Sequence, residues 1–238
     1  MTSPQNPALI APSHGMPNHV AVIGSGTIGP DIGYYLLSSV PGLRLTLIDV
    51  REDALQRATA RIQGYVQKGV QKGKLDAAVG EALLTNLRTS TDYASISDAN
   101  WVLEAATEDL PLKRKIFAQI ESIVRPTALI TSNTSSIPAS ELYCELRHPE
   151  RATVTHFFAP AFQNVIVEVI DWQALARANL DYLRWFFAMT GKVPLVTRDV
   201  VCFMLDRIFD NWCNEAGQLL EVATAAQIDT VAQEFVAA

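Results

Sequence analysis

Hydrophobic and polar positions along the chain predict strands and helices in alternation. A short apolar run from Val20 to Ile23 predicts a buried strand, and the apolar segment from Ile28 to Leu37 predicts the helix that follows it. Strands are further predicted at 43–49, 101–106, 128–131, 153–158, 165–170 and 193–197. Helical spacing predicts helices at 112–123, 172–189, 201–219 and from 223 onward. This alternation is typical of an α/β fold with a doubly wound, mostly parallel sheet, Rossmann-like in type.

Residues 52 to 87 form an unusually long helical stretch that is interrupted near Gly69 and Gly73. The interruption predicts two helices arranged as a hairpin, inserted between strands of the sheet. Its basic residues are Arg57, Arg61, Lys68, Lys72 and Lys74. One interpretation is an ordinary solvated helix face. The other is that the lysines contact a phosphate-bearing ligand at the edge of a cleft.

Three glycines follow the first predicted strand in G-x-G-x-x-G spacing: Gly24, Gly26 and Gly29. In a strand-to-helix turn, the first glycine permits the bend, the second lets a pyrophosphate approach, and the third lets helix and strand pack closely. The free N–H groups at the helix N-terminus then attract the anion. We therefore predict a cofactor-binding turn made of Gly24, Gly26, Thr27, Ile28 and Gly29.

An aspartate at the end of the second predicted strand indicates which dinucleotide is bound. Asp49 lies 20 residues after Gly29, where a carboxylate is expected to bind the ribose hydroxyls of NAD. The negative charge of Asp49 should repel the 2′-phosphate of NADP. Arg51, two residues later, carries a positive charge that opposes this repulsion. The predicted cofactor is NAD.

Domain boundaries follow from composition. Four prolines and little periodicity in residues 1–17 predict a flexible leader. Residues 18–198 are the predicted NAD-binding domain, and helical spacing continues through 199–238. His14 and His19 flank the start of the first strand, and we expect both to be solvated.

Composition narrows the class of protein further. The chain of 238 residues is 49% hydrophobic with a net charge of −6, and it has no long basic run, which argues against a nucleic-acid partner. It has no apolar run as long as a membrane span and no signal-peptide pattern, so we expect a cytoplasmic protein without a membrane partner. Three irregularly spaced cysteines predict neither a disulfide framework nor a metal site.

A histidine and a glutamate on consecutive predicted strands are the candidates for proton transfer. If these strands form an antiparallel hairpin centred on Phe162, His156 and Glu168 lie opposite one another. Cross-strand partners have Cβ atoms about 5 Å apart. The carboxylate would then bind one imidazole nitrogen and leave the other free to act as a general base. The alternative is a surface pair without a catalytic role.

Taken together, five motifs resemble the 3-hydroxyacyl-CoA dehydrogenase family from about His19 to the C-terminus. They are Gly24-Ser-Gly-Thr-Ile-Gly29, Glu104-Ala-Ala-Thr-Glu108, Ser132-Asn-Thr-Ser-Ser136, Thr155-His-Phe-Phe-Ala-Pro160 and Val167-Glu-Val-Ile170. The resemblance implies NAD-dependent oxidation of an L-3-hydroxyacyl-CoA to the 3-ketoacyl-CoA, as in fatty-acid β-oxidation. It also implies a homodimer in the full-length form, and that residues 199–238 are the beginning of a C-terminal helical domain that is incomplete here.

The resemblance assigns roles to individual residues. It implies that His156 removes the hydroxyl proton with Glu168 as its partner, and that Ser135 hydrogen-bonds the reacting oxygen. Glu108 and Lys113 match residues that contact the nicotinamide half of the cofactor. Lys72 is the nearest match to the basic residues that face CoA.

Three positions depart from the family pattern. Ala159 and Asp206 each stand where the family has asparagine, and Cys202 where it has glycine. An ionised Asp206 cannot donate a hydrogen bond to a substrate carbonyl, and near His156 it would favour the protonated imidazole. Two alternatives therefore stay open. One is a dehydrogenase of a non-CoA 3-hydroxy acid, such as gulonate or carnitine, and the other is a nucleotide-binding module without useful catalysis.

Overall fold

The computed structural model describes Pro12 and residues 15–236, so most of the predicted leader lies outside the described residues. Its strands are β1 (His19–Ile23), β2 (Arg44–Ile48), β3 (Leu87–Ser90), β4 (Trp101–Glu104), β5 (Leu129–Ser132), β6 (Ala152–Phe157), β7 (Ile166–Asp171) and β8 (Val193–Arg198). They form one sheet in the order β3-β2-β1-β4-β5-β6-β7-β8.

Strand direction in this sheet decides where the functional residues meet. Strands β1 to β6 pair in parallel, and the chain crosses back to the centre between β3 and β4. Strand β7 is antiparallel to β6 and parallel to β8. The carboxyl ends of β1, β2, β4, β5 and β6 therefore share one edge with the amino end of β7, which confirms the predicted fold class.

Helices cover both faces of the sheet. They are α1 (Gly29–Ser39), α2 (Glu52–Gln71), α3 (Ala77–Thr85), α4 (Leu110–Ile123), α5 (Ala139–Leu142), α6 (Arg177–Met189), α7 (Leu205–Gln218) and α8 (Ala225–Val236). Strand β1 shows the two-sided burial: Val20 and Val22 pack in a core with α1, α2 and α6, whereas Ala21 and Ile23 pack in a second core with α4 and α5. Because both faces are covered, the strand residues read as continuous apolar runs.

The predicted helical hairpin is present as α2 and α3. The chain turns between Gln71 and Ala77, and the carboxylate of Asp76 caps α3 by accepting the Ala78 N–H at 2.8 Å. The hairpin does not project over its whole length, because the first half of α2 buries Leu55, Ala58 and Ile62 against the core.

Four local predictions were wrong. The helix predicted from 201 begins as α7 at Leu205, because Cys202 and Phe203 before it have positive φ. Leu87 was assigned to the helical stretch, but it begins β3, a short, partly exposed strand at the edge of the sheet. Helix α6 begins at Arg177, not Trp172, since the Trp172 indole is held by the Ala152 carbonyl at 2.8 Å. His19 is buried, not solvated: it bonds Asp98 and Thr46, each at 2.9 Å, and burial lowers its pKa.

The two C-terminal helices pack differently from the rest of the described chain. Helix α7 has no buried residue, and its periodic apolar face is exposed. The exposed apolar side chains of this region include Ile208, Phe209, Trp212, Leu219, Leu220 and Val231. That residues 199–238 begin a further helical domain stays a prediction.

No helix in the described part of the chain is long and apolar enough to cross a membrane.

Candidate functional site

The glycine turn between β1 and α1 has the tight geometry that its spacing predicts. Gly24 has φ +100°, and a Cβ there would lie 2.5 Å from the carbonyl oxygen of Ala105, which follows β4. A Cβ on Gly29 would lie 2.0 Å from the Gly24 carbonyl oxygen. A Cβ on Gly26 would meet nothing within 4 Å, so the turn is closed on its inner side and open above Gly26. That opening is where a pyrophosphate can approach the backbone.

Asp49 lies beside this turn at the end of β2. One carboxylate oxygen accepts the Ser25 N–H at 2.8 Å and the other accepts the Arg51 N–H at 3.0 Å, so the group is held in a fixed orientation. The buried hydroxyl oxygen of Ser25 has no hydrogen-bond partner among the described residues. A cleft of about 470 Å³ opens here, lined by Ser25, Gly26, Thr27, Pro30, Asp49, Arg51, Ala54, Arg57, Ala58 and Arg61. The unpaired hydroxyl oxygen of Ser25, the oriented carboxylate of Asp49 and the arginines along the rim are suited to binding a dinucleotide.

An ion pair between the partly exposed Arg61 and the buried Asp31 ties α2 to the glycine turn, and the sequence analysis did not identify it. Asp31, in the first turn of α1, pairs with Arg61 at 2.7 Å and accepts the Tyr65 hydroxyl at 2.8 Å. Arg61 also donates to the carbonyl oxygen of Thr27 at 2.7 Å. Arg61 therefore neutralises a buried carboxylate near the helix N-terminus, where an anionic ligand would otherwise be repelled.

His156 and Glu168 form the pair predicted by counting along the hairpin. The two residues are opposite in the β6–β7 register, and His156 Nδ1 lies 2.8 Å from Glu168 Oε2. Both side chains are buried, and the Phe158 ring centroid lies 4.3 Å from that of the imidazole. With Nδ1 engaged by the carboxylate, Nε2 is the nitrogen available to accept a proton.

The second oxygen of Glu168 holds the start of α7. Glu168 Oε1 accepts the N–H groups of Met204 at 3.0 Å and Leu205 at 2.9 Å. Burial alone would raise the pKa of Glu168, but the bonds from His156 and these two amides outweigh it and hold the pKa below its ordinary value. Glu168 is therefore a stable carboxylate that both orients the imidazole and caps a helix.

Asp206 lies near the other side of the imidazole. Its Oδ2 is 3.9 Å from His156 Nε2, in the first turn of α7. Burial raises the pKa of the Asp206 carboxyl. The charge of His156 opposes this rise, and the charge of Glu168 adds to it. The structure thus brings together the three residues that the sequence predicts on the β6–β7 hairpin and α7.

A fully buried ion pair supports the edge between β4 and β5. Lys113 Nζ donates to both carboxylate oxygens of Glu104, at 2.7 and 2.9 Å, and both side chains are at most 1% exposed. Glu104 also accepts the Ser132 hydroxyl at 2.6 Å and the Ala106 N–H at 2.7 Å. The sequence analysis placed Glu104 in a motif but gave it no role. The sequence did offer one signal for such a role, since Glu104 is a charged residue within an apolar strand.

Glu108 joins this network from its exposed side. Lys113 Nζ lies 3.2 Å from Glu108, whose carboxylate also accepts the hydroxyls of Thr134 and, at 3.2 Å, Ser136. Burial raises the pKa of Glu108, but Thr134, Lys113 and Ser136 together hold it below its ordinary value. Ser135, the predicted substrate contact, lies half-buried between these two hydroxyl residues in the chain.

Asn133 connects the two parts of the site. Its N–H donates to the Glu104 carbonyl at 2.7 Å, and its side-chain oxygen accepts the Phe157 N–H at 2.8 Å, next to His156. Gly24 and Ala105 are in contact on the other side of β4. A continuous series of contacts therefore runs from the glycine turn to the histidine.

Lys72 is not brought into this site. It is exposed, directly after the last residue of α2, whereas Arg57 on the same helix lines the cleft. The 15 residues between them correspond to about 22 Å along a helix.

Cys202 has φ +60°, a left-handed conformation that glycine adopts freely and other residues adopt at a cost of about 1–2 kcal/mol. Its N–H donates to the Ser136 carbonyl oxygen at 3.1 Å, so the strained turn contacts the loop after β5. This explains why glycine suits the position in the family pattern.

No cluster of three or more His, Cys, Asp or Glu residues that could hold a metal ion occurs among the described residues.

Comparison with known proteins gives a consistent set of matches. The family model for the NAD-binding domain of 3-hydroxyacyl-CoA dehydrogenases matches residues 19–200. Over 207 residues, the chain is 36% identical to the 3-hydroxyadipyl-CoA dehydrogenase of Escherichia coli K12, a match that covers 87% of this chain and 43% of that protein. It is 29% identical to a probable 3-hydroxyacyl-CoA dehydrogenase of Caenorhabditis elegans, covering 89% of this chain and 70% of the other.

A solved structure shows the same fold. The crystal structure of 3-hydroxybutyryl-CoA dehydrogenase from Escherichia coli K12 superposes with a TM-score of 0.82 at 35% identity, covering 87% of this chain and 43% of that one. The chain thus spans less than half the length of both Escherichia coli relatives that it matches.

Proposed function

Because the chain belongs to the 3-hydroxyacyl-CoA dehydrogenase family and contains its NAD-binding domain, we propose that it oxidises an L-3-hydroxyacyl-CoA to the 3-ketoacyl-CoA. Bound NAD supplies the hydride acceptor. The observation that carries the proposal is the buried His156–Glu168 pair, 2.8 Å apart, at the sheet edge that also holds the glycine turn.

The protein's own residues supply positioning and proton transfer. His156 Nε2 accepts the proton of the substrate hydroxyl as the hydride leaves C3, and Glu168 fixes the tautomer and stabilises the imidazolium that forms. Ser135 hydrogen-bonds the reacting oxygen. Glu108 would contact the nicotinamide half of the cofactor, and the buried Lys113 would act there by holding Glu108.

The departures at Ala159 and Asp206 favour a second candidate, a nucleotide-binding module without useful catalysis. Asp206 lies 3.9 Å from the nitrogen that must accept the proton. An ionised Asp206 would pair with protonated His156, and a protonated imidazole is not a base. A protein of this kind would bind NAD but would not turn over a substrate.

The function is tested by mixing the chain with NADH and a panel of 3-ketoacyl-CoA thioesters and following NADH absorbance. We expect oxidation of NADH with acetoacetyl-CoA or a longer thioester, inhibited by free CoA. Turnover of a non-CoA 3-keto acid, tested beside the panel and not inhibited by free CoA, would favour a non-CoA 3-hydroxy acid instead. Binding of NADH without turnover of any thioester would favour the second candidate.

Cofactor selectivity is expected to follow from Asp49. NADH should bind at least about tenfold more tightly than NADPH, because the oriented carboxylate repels a 2′-phosphate and tenfold requires only about 1.4 kcal/mol. Titration of cofactor fluorescence measures both affinities. Asp49→Ala should reduce the difference between the affinities for NADH and NADPH. Glu81→Ala, at an exposed position on α3, should leave that difference unchanged. Equal affinities in the unmodified chain would contradict this role of Asp49.

Three other predictions remain proposals. They are a homodimer in the full-length form, a cytoplasmic location, and contact of Lys72 with the CoA moiety.

A further inference from the structure

Lys192 is a buried lysine between α6 and β8 to which the proposed reaction gives no role. Its side chain is 7% exposed. The ammonium group donates to the carbonyl oxygen of Ala161 at 2.5 Å and to that of Asn164, and it lies 4.4 Å from the ring centroid of Tyr35. Two carbonyls and an aromatic face therefore surround the cation.

Packing alone does not explain a lysine at this position. The polar partners of its ammonium among the described residues are carbonyl oxygens and not carboxylates, and burying a charge without a counter-charge is costly. Burial lowers the pKa of Lys192 to about 8. A leucine or methionine would fill similar volume without that cost. What the lysine adds is hydrogen bonds to two carbonyl oxygens that point inward from a loop.

That loop joins the two strands that carry the candidate base and its partner. It spans residues 158–165, between β6 and β7. Ala161 is five residues after His156, and Asn164 is four residues before Glu168. The ammonium thus holds the loop at two points, one towards β6 and one towards β7. The Asn164 side chain adds a bond across the loop to the Ala159 carbonyl at 2.7 Å.

Aromatic contacts hold the outer side of the same loop. The Phe162 ring lies 5.3 Å from the ring of Tyr34 on α1 and 4.6 Å from that of Tyr65 on α2. These contacts are apolar and permit sliding, whereas the two bonds from Lys192 have defined directions. Lys192 therefore supplies two directed bonds to the middle of the loop, and the Val193 N–H adds one to the Val165 carbonyl at its end, at 2.7 Å.

We propose that Lys192 is a positioning residue for the His156–Glu168 pair, acting through the carbonyl oxygens of Ala161 and Asn164. The expected effect of Lys192 on turnover rests on the proposed function. The geometry of the His156–Glu168 pair does not, because it can be measured without substrate. Without the ammonium, the two carbonyls lose their partner, the loop shifts, and the two strands no longer hold imidazole and carboxylate in one geometry.

The test compares Lys192→Met with Lys192→Arg, which keeps charge and donors, and with Lys115→Met, an exposed lysine on α4. The first readout is the hydrogen-bonded Nδ1 proton of His156 in the ¹⁵N-labelled full chain, assigned by its loss in His156→Ala. We expect Lys192→Met to shift or broaden this signal. Lys192→Arg should restore it in part, and Lys115→Met should leave it unchanged.

The second readout is turnover with the best thioester of the panel. Lys192→Met should lower kcat by about 10- to 100-fold, since small displacements of a base are costly, while NADH affinity changes by less than about twofold. If Lys192→Met does not fold, as judged by circular dichroism, Lys192→Gln replaces it, with the charge removed and one donor group kept.

A folded Lys192→Met with an unchanged His156 signal overturns the proposal, whatever its melting temperature. Absence of turnover in the unmodified chain overturns the proposed function but not the positioning role, which the proton signal still decides. If signal, kcat and NADH affinity all fall together in Lys192→Met and Lys192→Arg alike, the role is structural and the proposal is wrong.

Discussion

Replacing His156 by alanine is expected to lower turnover by about 10²–10⁴-fold, the usual contribution of a positioned general base. The imidazole is buried, its Nδ1 is occupied by Glu168 at 2.8 Å, and its Nε2 is the remaining proton acceptor. The affinity for NADH should change by less than about twofold, because the glycine turn and Asp49 are elsewhere on the sheet edge. Steady-state kinetics and a cofactor titration on the same preparation measure both quantities.

His148→Ala is the matched control, because that histidine is about half exposed and its ring pairs, among the described residues, only with the exposed Glu150. It should leave both turnover and NADH affinity unchanged. Unchanged turnover in His156→Ala would remove His156 from the role of base. Glu168 is a less informative target, since its substitution also removes the cap of α7.

The largest loss of stability is expected from Lys113→Met. Removing the ammonium leaves the Glu104 carboxylate fully buried, with only the Ser132 hydroxyl and the Ala106 N–H as partners. Breaking a buried ion pair at one partner typically costs about 3–5 kcal/mol, and we expect a fall of that size in the free energy of unfolding. Urea denaturation at neutral pH measures it.

Two further variants test the cause of that loss. Lys113→Met combined with Glu104→Gln should recover part of the stability, because a neutral amide needs no buried counter-charge. Lys115→Met, two residues away and exposed on the same helix, should change stability by less than about 0.5 kcal/mol. A loss below about 1 kcal/mol in Lys113→Met would contradict the stabilising role assigned to the buried ion pair.

Features fixed by local pattern could be predicted from the sequence. The glycine spacing and the apolar run before it determine the turn at Gly24, and the length of the second strand places Asp49 beside it. The pairing of His156 with Glu168 could be obtained by counting, because one short loop sets the register of a hairpin. The β3 strand could not be recognised, since Leu87–Ser90 is short, largely polar and at the edge of the sheet.

Contacts that depend on how helices and loops pack against the sheet could not be derived in this way. Glu104 and Lys113 meet because α4 packs on the sheet, and Lys192 meets the carbonyl of Ala161, 31 residues earlier in the chain. The sequence shows that Glu104 is a charged residue within an apolar strand, but it does not show which residue is its partner.

Glu168 makes the geometry of the base and the start of α7 thermodynamically linked. One oxygen binds His156 and the other accepts the amides of Met204 and Leu205. Because coupling between two equilibria is reciprocal, whatever favours the ordered pair also stabilises the first turn of α7, by the same free energy. A ligand or partner that binds α7 and favours its ordered first turn would therefore alter proton transfer at a histidine that it never touches. The exchange rates of these two amide hydrogens then report on the state of the pair.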